Sequence, residues 1–155
     1  MTKLRKSLLE WALYHAGLGY RLFPLAKNSK VPIKGIKWKE ESTADPDQIN
    51  KWWSVDDYNI GIVTGKVNDI TVIDLDGDAG VENYKKLKED YKIPDTYVVQ
   101  TPHGYHHYFH YNAELKQGAG LLTGIDIRND GGYIVGAGSV IEDKGVWDEQ
   151  IHDSA

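Results

Sequence analysis

The chain has 155 residues, with 18 Lys and Arg against 23 Asp and Glu, a formal net charge of −5 and no cysteine. This length predicts a single domain, residues 1–155, with a core of its own. The negative charge argues against broad adhesion to nucleic acid but leaves room for a local basic groove. The lack of cysteine excludes disulfides and cysteine-ligated zinc and fits a cytoplasmic location. No apolar run nears the roughly 20 residues of a membrane helix, so we expect no membrane partner.

The first half of the chain predicts helices alternating with short strands. Apolar residues three and four positions apart indicate an amphipathic helix over 3–16. The run at 20–25 indicates a strand near a sheet edge, because it contains a proline. An Asp-Pro pair at 45–46 is typical of a helix start. The strands at 59–66 and 70–76 lie so close in sequence that we predict a hairpin.

The second half predicts mostly strands. A polar helix over 80–91 is followed by strands at 97–100, 105–111, 125–128 and 133–135, and glycine-containing turns separate several of them. Helices therefore come early and hairpins late. This order predicts an α+β fold, a mixed, largely antiparallel sheet with flanking helices, rather than regular βαβ winding.

Two carboxylates one residue apart end an apolar strand. Successive side chains of a strand point to opposite faces, so Asp74 and Asp76 share a face, with Cα atoms roughly 6.6 Å apart. Such a pair can converge on one divalent ion or share two ions about 3.5–4 Å apart. Asp before Gly77 is also a common exit from a strand into a turn, so the pair alone decides nothing.

Other polar side chains share faces of later strands. His106 and His110 lie on the same face of their strand, and Asp126 and Arg128 share a face of another strand. Two imidazoles on one face also fit a zinc site, but a catalytic zinc needs a third ligand from elsewhere in the chain. We expect no zinc.

A basic stretch runs from 27 to 39, with five lysines and no acid. In an acidic protein this local excess of positive charge fits contact with an anion, phosphate being the obvious one, but it equally fits a solvated loop. Lys30 and Lys34 are the candidates for a phosphate contact. We expect Trp38 to pack against the protein rather than to stack on a base.

Three familiar motifs match the sequence incompletely. The segment from Gly61 to Lys66 has too few residues between its glycines for a Walker A loop. A calcium loop beginning at Asp74 lacks the glycine and the glutamate that it requires, having Ala79 and Lys85 instead. The D-x-D-G-T signature of the haloacid-dehalogenase-like phosphatases has Asp78 in place of threonine, and the parallel α/β repeats of that fold are missing.

Three features follow one another along the chain: the two carboxylates at 74 and 76, a histidine strand centred on 106 and an acid at 126. Their order resembles that of the motifs in the bifunctional DNA primase/polymerase domain of the archaeo-eukaryotic primase superfamily. The segment Val72-Ile73-Asp74-Leu75-Asp76 is similar to the first metal-binding motif of that family. The resemblance covers roughly Gly19 to Ser139. The other similar segments are 20–25, 30–32 with Trp38, 59–65, 101–109 and 125–133. Of these, 101–109 is similar to the family's Gly-Gly-x-His-x-Tyr-Phe pattern.

The sequence departs from the family pattern at two places. His103 replaces the first glycine of the second motif, and Gly136-Ala137-Gly138-Ser139 replaces the usual Ala-Pro-Pro-Ser. Some relatives carry a cysteine-based zinc element, which this chain cannot form. Relatives often continue into a helicase domain, so we expect either a stand-alone module or part of a longer replication protein that works with a helicase domain or subunit.

The resemblance implies a primase catalytic core (RRM-like) and a metal-dependent, template-directed nucleotidyltransferase that makes or extends primers in replication. Asp74, Asp76 and Asp126 would be both the catalytic residues and the ligands of two Mg²⁺ or Mn²⁺ ions, and His106 would contact the incoming NTP or dNTP. The implied partners are a single-stranded DNA template and a primer. Four further residues are candidates for nucleotide binding: Arg128, Lys30, Lys34 and Ser139, of which Arg128 could bind phosphate bidentately.

Two other functions stay open from the sequence. The first is a primase-like module that binds nucleotide or single-stranded nucleic acid without turnover, although the intact acids count against it. The second is a D-x-D phosphohydrolase that would form a phospho-aspartate at Asp74.

Overall fold

Residues 6–118 and 120–150 are described by the structure, a computed structural model of the chain. In these ranges the helices are α1 (Leu8–Gly17), α2 (Trp38–Glu41), α3 (Pro46–Val55) and α4 (Gly77–Tyr91), with a 3₁₀ turn at Lys66–Asn68. The strands are β1 (Leu22–Leu25), β2 (Asn59–Val63), β3 (Ile70–Asp76), β4 (Tyr97–Thr101), β5 (Gly104–His110), β6 (Gly120–Leu122), β7 (Ile125–Arg128), β8 (Tyr133–Val135), β9 (Val140–Ile141), β10 (Gly145–Val146) and β11 (Asp148–Gln150). None of these helices has the length and apolar character needed to cross a bilayer.

The strands form a six-stranded sheet in the order β11-β4-β5-β3-β7-β6, a three-stranded sheet in the order β1-β2-β8 and a separate β9-β10 pair. Every pairing between these strands is antiparallel. The predicted α+β fold with a largely antiparallel sheet and flanking helices is confirmed.

The predicted hairpin between the strands at 59–66 and 70–76 is wrong. β2 belongs to the small sheet and β3 to the large one, and only an isolated bridge from Gly65 to Ile70 joins them. The chain leaves β2 through Gly65, whose φ is +97°, and then makes the 3₁₀ turn. Asn68 ends that turn by donating to the carbonyl of Val63 and by bonding the backbone of Arg21 in both directions. These long-range bonds hold the crossover between the sheets, and sequence spacing does not reveal them.

Capping residues near the start of each of the first long helices determine where that helix begins. Ser7 and Glu10 form a reciprocal capping box, so α1 begins at Leu8 rather than at residue 3, where the prediction also falls partly outside the described residues. Asp45 caps α3 with Pro46 in the first turn, as predicted. α4 begins at Gly77, three residues earlier than expected, because the chain passes directly from β3 into the helix.

The two faces of the large sheet pack against different partners. Ile73 and Leu75 of β3 lie on one face and pack with Tyr84 of α4 in a small apolar cluster. Val72 lies on the opposite face and belongs to the main core, which includes the small sheet. Since side chains alternate along β3, Asp74 and Asp76 lie on the same face as Val72. The acids therefore lie where the main core ends and a cleft between the sheets begins.

The small sheet contributes an aromatic wall beside this cleft. Phe23 of β1 is fully buried and contacts Trp38 and Tyr133, with ring centroids 5.2 and 5.3 Å away. Trp38 thus packs against the protein, as predicted. Gly61 lies beneath the Phe23 ring, so close that an added Cβ would approach a ring carbon to 2.5 Å. The position of this wall therefore depends on the absence of a side chain at 61.

Replacing Gly61 with Ala should lower the free energy of unfolding by about 1–3 kcal/mol, because the new methyl group displaces a buried ring that has little room to move. Urea denaturation followed by circular dichroism measures the change. Gly17→Ala is the matched control: no atom lies within 4 Å of its added Cβ, so it should leave stability unchanged or raise it slightly. A Gly61→Ala protein as stable as the control would show that the Phe23 ring is not confined as described.

His15 connects α1 to the segment after β8. The imidazole is 2% exposed, and its Nε2 lies 2.9 Å from the carbonyl oxygen of Ala137. Burial lowers the pKa of His15, and the bond to Ala137 and the charge of Glu149 oppose that effect only in part. The folded protein therefore holds this imidazole in its neutral form at pH values where the unfolded chain takes up a proton.

Acidification through the ordinary range of histidine, near pH 6.5, should destabilise the fold, because the unfolded state then binds more protons than the folded state. We expect the wild-type Tm to decrease as the pH is lowered from about 7.5 to 5.5, and we expect this decrease to be smaller in His15→Gln. His110→Gln removes an imidazole whose side chain is 95% exposed and should not reduce the fall. Differential scanning calorimetry at several pH values measures it. An unchanged pH dependence in His15→Gln would contradict this account.

Candidate active site

Three predicted site residues are direct neighbours across the large sheet. β3 lies between β5 and β7, and the register places Asp74 opposite His106 on one side and opposite Asp126 on the other. Side chains directly opposite each other in adjacent strands project from the same face, with Cβ atoms about 4.5–5.5 Å apart. Asp76 follows on that face, two residues along β3 and opposite Gly104. Residues distant in sequence thus meet on one patch of the sheet.

This patch forms the floor of a cleft of about 450 Å³ between the two sheets. Most of the predicted site residues line it: Lys30, Asp74, Asp76, His106, Asp126 and Arg128. The cleft therefore presents three carboxylates, with Arg128 and Lys30 as its only lysine or arginine lining residues among those that the structure describes, so acidic groups outnumber these basic ones.

Asp74 lies at the centre of the floor and is 23% exposed. Its Oδ1 lies 3.5 Å from Nε2 of His106 and its Oδ2 lies 3.6 Å from Nη2 of Arg128. Burial raises the pKa of the Asp74 carboxyl, but hydrogen bonding and charge from His106, with the guanidinium of Arg128, outweigh that effect and hold its pKa below the ordinary value. Asp74 therefore carries its negative charge throughout the physiological pH range.

The other polar groups of the floor have atoms that make no hydrogen bond or ion pair within the described residues. Asp76 and Asp126 are exposed, and neither carboxylate makes a hydrogen bond or ion pair with the residues that the structure describes. His106 is 6% exposed, and its buried Nδ1 has no partner in the same part of the chain. Its other ring nitrogen, Nε2, is the one that faces Asp74 and the cleft.

The donor set fits hard divalent cations. Mg²⁺ and Mn²⁺ prefer carboxylate, phosphate and water oxygens, and the three carboxylates supply oxygens on one face. Within residues 6–118 and 120–150 no three acidic, histidine or cysteine side chains already surround a point as a complete ligand set.

Two predicted nucleotide-binding residues do not line the cleft. Lys34 is exposed in the loop between β1 and α2 and is not among the residues that line the cleft. Ser139 is fully buried, and its hydroxyl accepts a hydrogen bond of 3.0 Å from the backbone N–H of Ile60. Its side chain ties the β8–β9 turn to β2 and does not line the cleft.

Several lining residues were not predicted as site residues. Tyr133 and Trp38 form part of the wall opposite the acids, and His103 and Gln117 lie at other points of the rim. Trp38, His103 and Tyr133 lie in segments that carry the family resemblance, but their residue types did not single them out as site residues. Gly104, which does not itself line the cleft, starts β5 opposite Asp76, and a Cβ there would approach the carbonyl oxygen of Leu75 to 1.8 Å. Only glycine lets the β4–β5 turn lie this close to β3.

Asn129, also not predicted, fixes the end of β7 and with it Arg128. Its side chain is 1% exposed, accepts from the Thr71 hydroxyl at 3.0 Å and donates to the carbonyls of Asn112 and Leu115 at 2.8 and 2.6 Å. The backbone on either side of Asn129 is thereby held against β3. A satisfied, buried amide of this kind gives the site a rigid support.

The pairing of β3 and the helix that follows it exclude two alternatives raised by the sequence. A haloacid-dehalogenase-like phosphatase needs its catalytic strand within a parallel sheet, whereas β3 runs antiparallel to both β5 and β7. A calcium loop is also excluded, because residues 77–91 form a continuous helix immediately after Asp76.

A family model described as bifunctional DNA primase/polymerase, N-terminal, matches residues 12–152 of the 155-residue chain. No curated protein matches the sequence closely enough to count as a relative. The match spans most of the chain, including every strand that carries a site residue, and confirms the resemblance drawn from the motifs. The chain therefore belongs to the bifunctional DNA primase/polymerase N-terminal family, with the α+β primase-type core of that family.

Proposed function

We propose that this domain catalyses metal-dependent, template-directed nucleotidyl transfer, making primers, extending them or both. Family membership points to a nucleotidyltransferase-type enzyme with a role in priming or polymerisation. The single observation that carries the finer proposal is the register that sets Asp74 between His106 and Asp126 on the floor of one cleft.

Nucleotidyl transfer requires charge neutralisation on the triphosphate and an oriented 3′-hydroxyl. Two Mg²⁺ or Mn²⁺ ions, held by Asp74, Asp76 and Asp126, would supply a clamp on the attacking and leaving oxygens. In support, the register sets Asp74 opposite Asp126, with Asp76 two residues along β3, so a cation held by these carboxylates would be bound from one face of the sheet.

The cationic side chains of the cleft would bind the triphosphate. His106 and Arg128 lie on the same face as the acids, and Lys30 reaches the cleft from the small sheet side, where its carbonyl accepts from Tyr133. A guanidinium can hold two phosphate oxygens at once. The incoming NTP or dNTP would thus lie between the acidic floor and the basic and aromatic wall.

Single-stranded template and primer would enter at the open side of the same cleft. The chain is acidic overall, but the loop from 27 to 39 carries five lysines and borders the cleft through Lys30 and Trp38. A local basic edge of this kind binds phosphate backbones without sequence preference.

The second candidate is a module that binds nucleotide or single-stranded DNA without turnover. The unpartnered Asp76 and Asp126 count against it, because exposed carboxylates in a nucleotide cleft repel phosphate unless cations intervene. Pyrophosphate release during incubation with template, primer, dNTP and Mn²⁺ distinguishes the two functions.

Replacing Asp126 with Asn should reduce primer extension at least about a hundredfold, because the carboxamide keeps the size of the side chain but loses the charge that holds a cation. Asp74→Asn should do the same. Extension of a labelled primer on a single-stranded template with Mg²⁺ or Mn²⁺ measures the rate, and unchanged thermal melting shows that the fold is intact.

Asp78→Asn is the matched control, since Asp78 lies in the first turn of α4, within two residues of Asp76, but does not line the cleft. Its rate should stay within a few-fold of wild type. Full extension activity in Asp126→Asn, or an equal loss in Asp78→Asn, would contradict the assignment of the three acids.

A further inference from the structure

Asp74 is the one acid of the cleft floor that, within the described residues, already faces two basic side chains. Its two oxygens point to different side chains, Oδ1 to Nε2 of His106 at 3.5 Å and Oδ2 to Nη2 of Arg128 at 3.6 Å. Asp76 and Asp126 have no such neighbour in the same part of the chain. Charge compensation in the floor is thus concentrated on its central acid.

A metal ion would compete with Arg128 for the negative charge of Asp74 as the structure shows it. A hard divalent cation binds carboxylate oxygens at about 2.0–2.6 Å. A guanidinium 3.6 Å from the same carboxylate adds a positive charge that repels the incoming ion. A cation at Asp74 would therefore bind more tightly once the guanidinium has moved away.

We propose that Arg128 acts as an internal counter-ion, which holds Asp74 in the free protein and transfers to the triphosphate when nucleotide enters, so that metal and nucleotide bind cooperatively. This inference rests on the function proposed above and deepens it. Arg128 is a positioning residue in this role, because it acts on the metal through Asp74.

Arg128 suits this exchange better than its neighbours in the cleft. Its side chain is 34% exposed, so the guanidinium has room to swing on a flexible stem, whereas that of His106 is only 8% exposed and is held by the surrounding core. The backbone of Arg128 is fixed by β7 and by the buried Asn129 that follows it. Lys30 also lines the cleft but makes no ion pair with Asp74 or with any other acid in the described ranges.

The exchange predicts a definite sign for the coupling between ligands. Without nucleotide, Arg128 competes with the metal for Asp74 and weakens metal binding. With nucleotide, the phosphates take Arg128 away from Asp74, and the metal binds more tightly. By linkage the metal must strengthen nucleotide binding by the same factor. Removal of Arg128 should therefore raise metal affinity in the free protein and reduce the coupling.

The test is a titration of the protein with Mn²⁺, followed by electron paramagnetic resonance of the free ion, with and without a non-hydrolysable dNTP analogue. In Arg128→Gln we expect the Kd for Mn²⁺ without nucleotide to fall about 3–10-fold, and the tightening caused by the analogue to shrink by a similar factor. Lys30→Gln is the matched control, because it removes one positive charge from the same cleft without touching Asp74. Its Kd for Mn²⁺ without nucleotide should stay within about twofold of wild type.

An Arg128→Gln protein that binds Mn²⁺ without nucleotide no more tightly than wild type would overturn the proposal, as would an equal gain in Lys30→Gln. Arg128→Lys provides a second variant if the glutamine protein melts early, and it should show unchanged or weaker Mn²⁺ binding because it keeps the charge. Failure of the proposed function has a different signature: wild-type protein would bind no Mn²⁺ even with the analogue and would release no pyrophosphate from dNTP.

Discussion

The site depends on the antiparallel register of β3 between β5 and β7. This register alone sets Asp74 opposite both His106 and Asp126, residues 32 and 52 positions away in the sequence. A shift of one residue on either side would turn the opposite side chain to the other face of the sheet and take it out of the cleft. The apolar residues that alternate with the acids oppose such a shift, because Ile73 and Leu75 are buried against α4.

Buried polar groups support this register at the ends of the strands. Asn129 joins the end of β7 to Thr71 at the start of β3, and Asn68 joins the crossover from the small sheet to the backbone of Arg21. Both amides are buried and hydrogen-bonded, so each would leave several backbone groups unsatisfied if its strand moved. Residues outside the cleft thus fix the strands that carry the carboxylates of the floor. A rigid support of this kind is what a metal-dependent site requires.

Much of this arrangement could be predicted from the sequence, because strand periodicity places side chains on faces. The pairing of Asp74 with Asp76, and of Asp126 with Arg128, follows from a repeat of two residues. Which strands are neighbours does not follow from periodicity, and the convergence on Asp126 came only from the resemblance to a family. The hairpin between β2 and β3 was wrong because contacts of Asn68 with distant backbone groups override short sequence separation. Ser139 and Lys34 show the same limit: position beside a motif does not determine where a side chain points.

The most direct measurement of the central claim is the location of Mn²⁺ by anomalous diffraction, in crystals grown with Mn²⁺ and a non-hydrolysable dNTP analogue. We predict anomalous density between Asp74, Asp76 and Asp126, with the triphosphate next to His106 and Arg128 in the cleft between the sheets. Manganese and nucleotide bound elsewhere on the molecule, with the three carboxylates in contact with water alone, would contradict it.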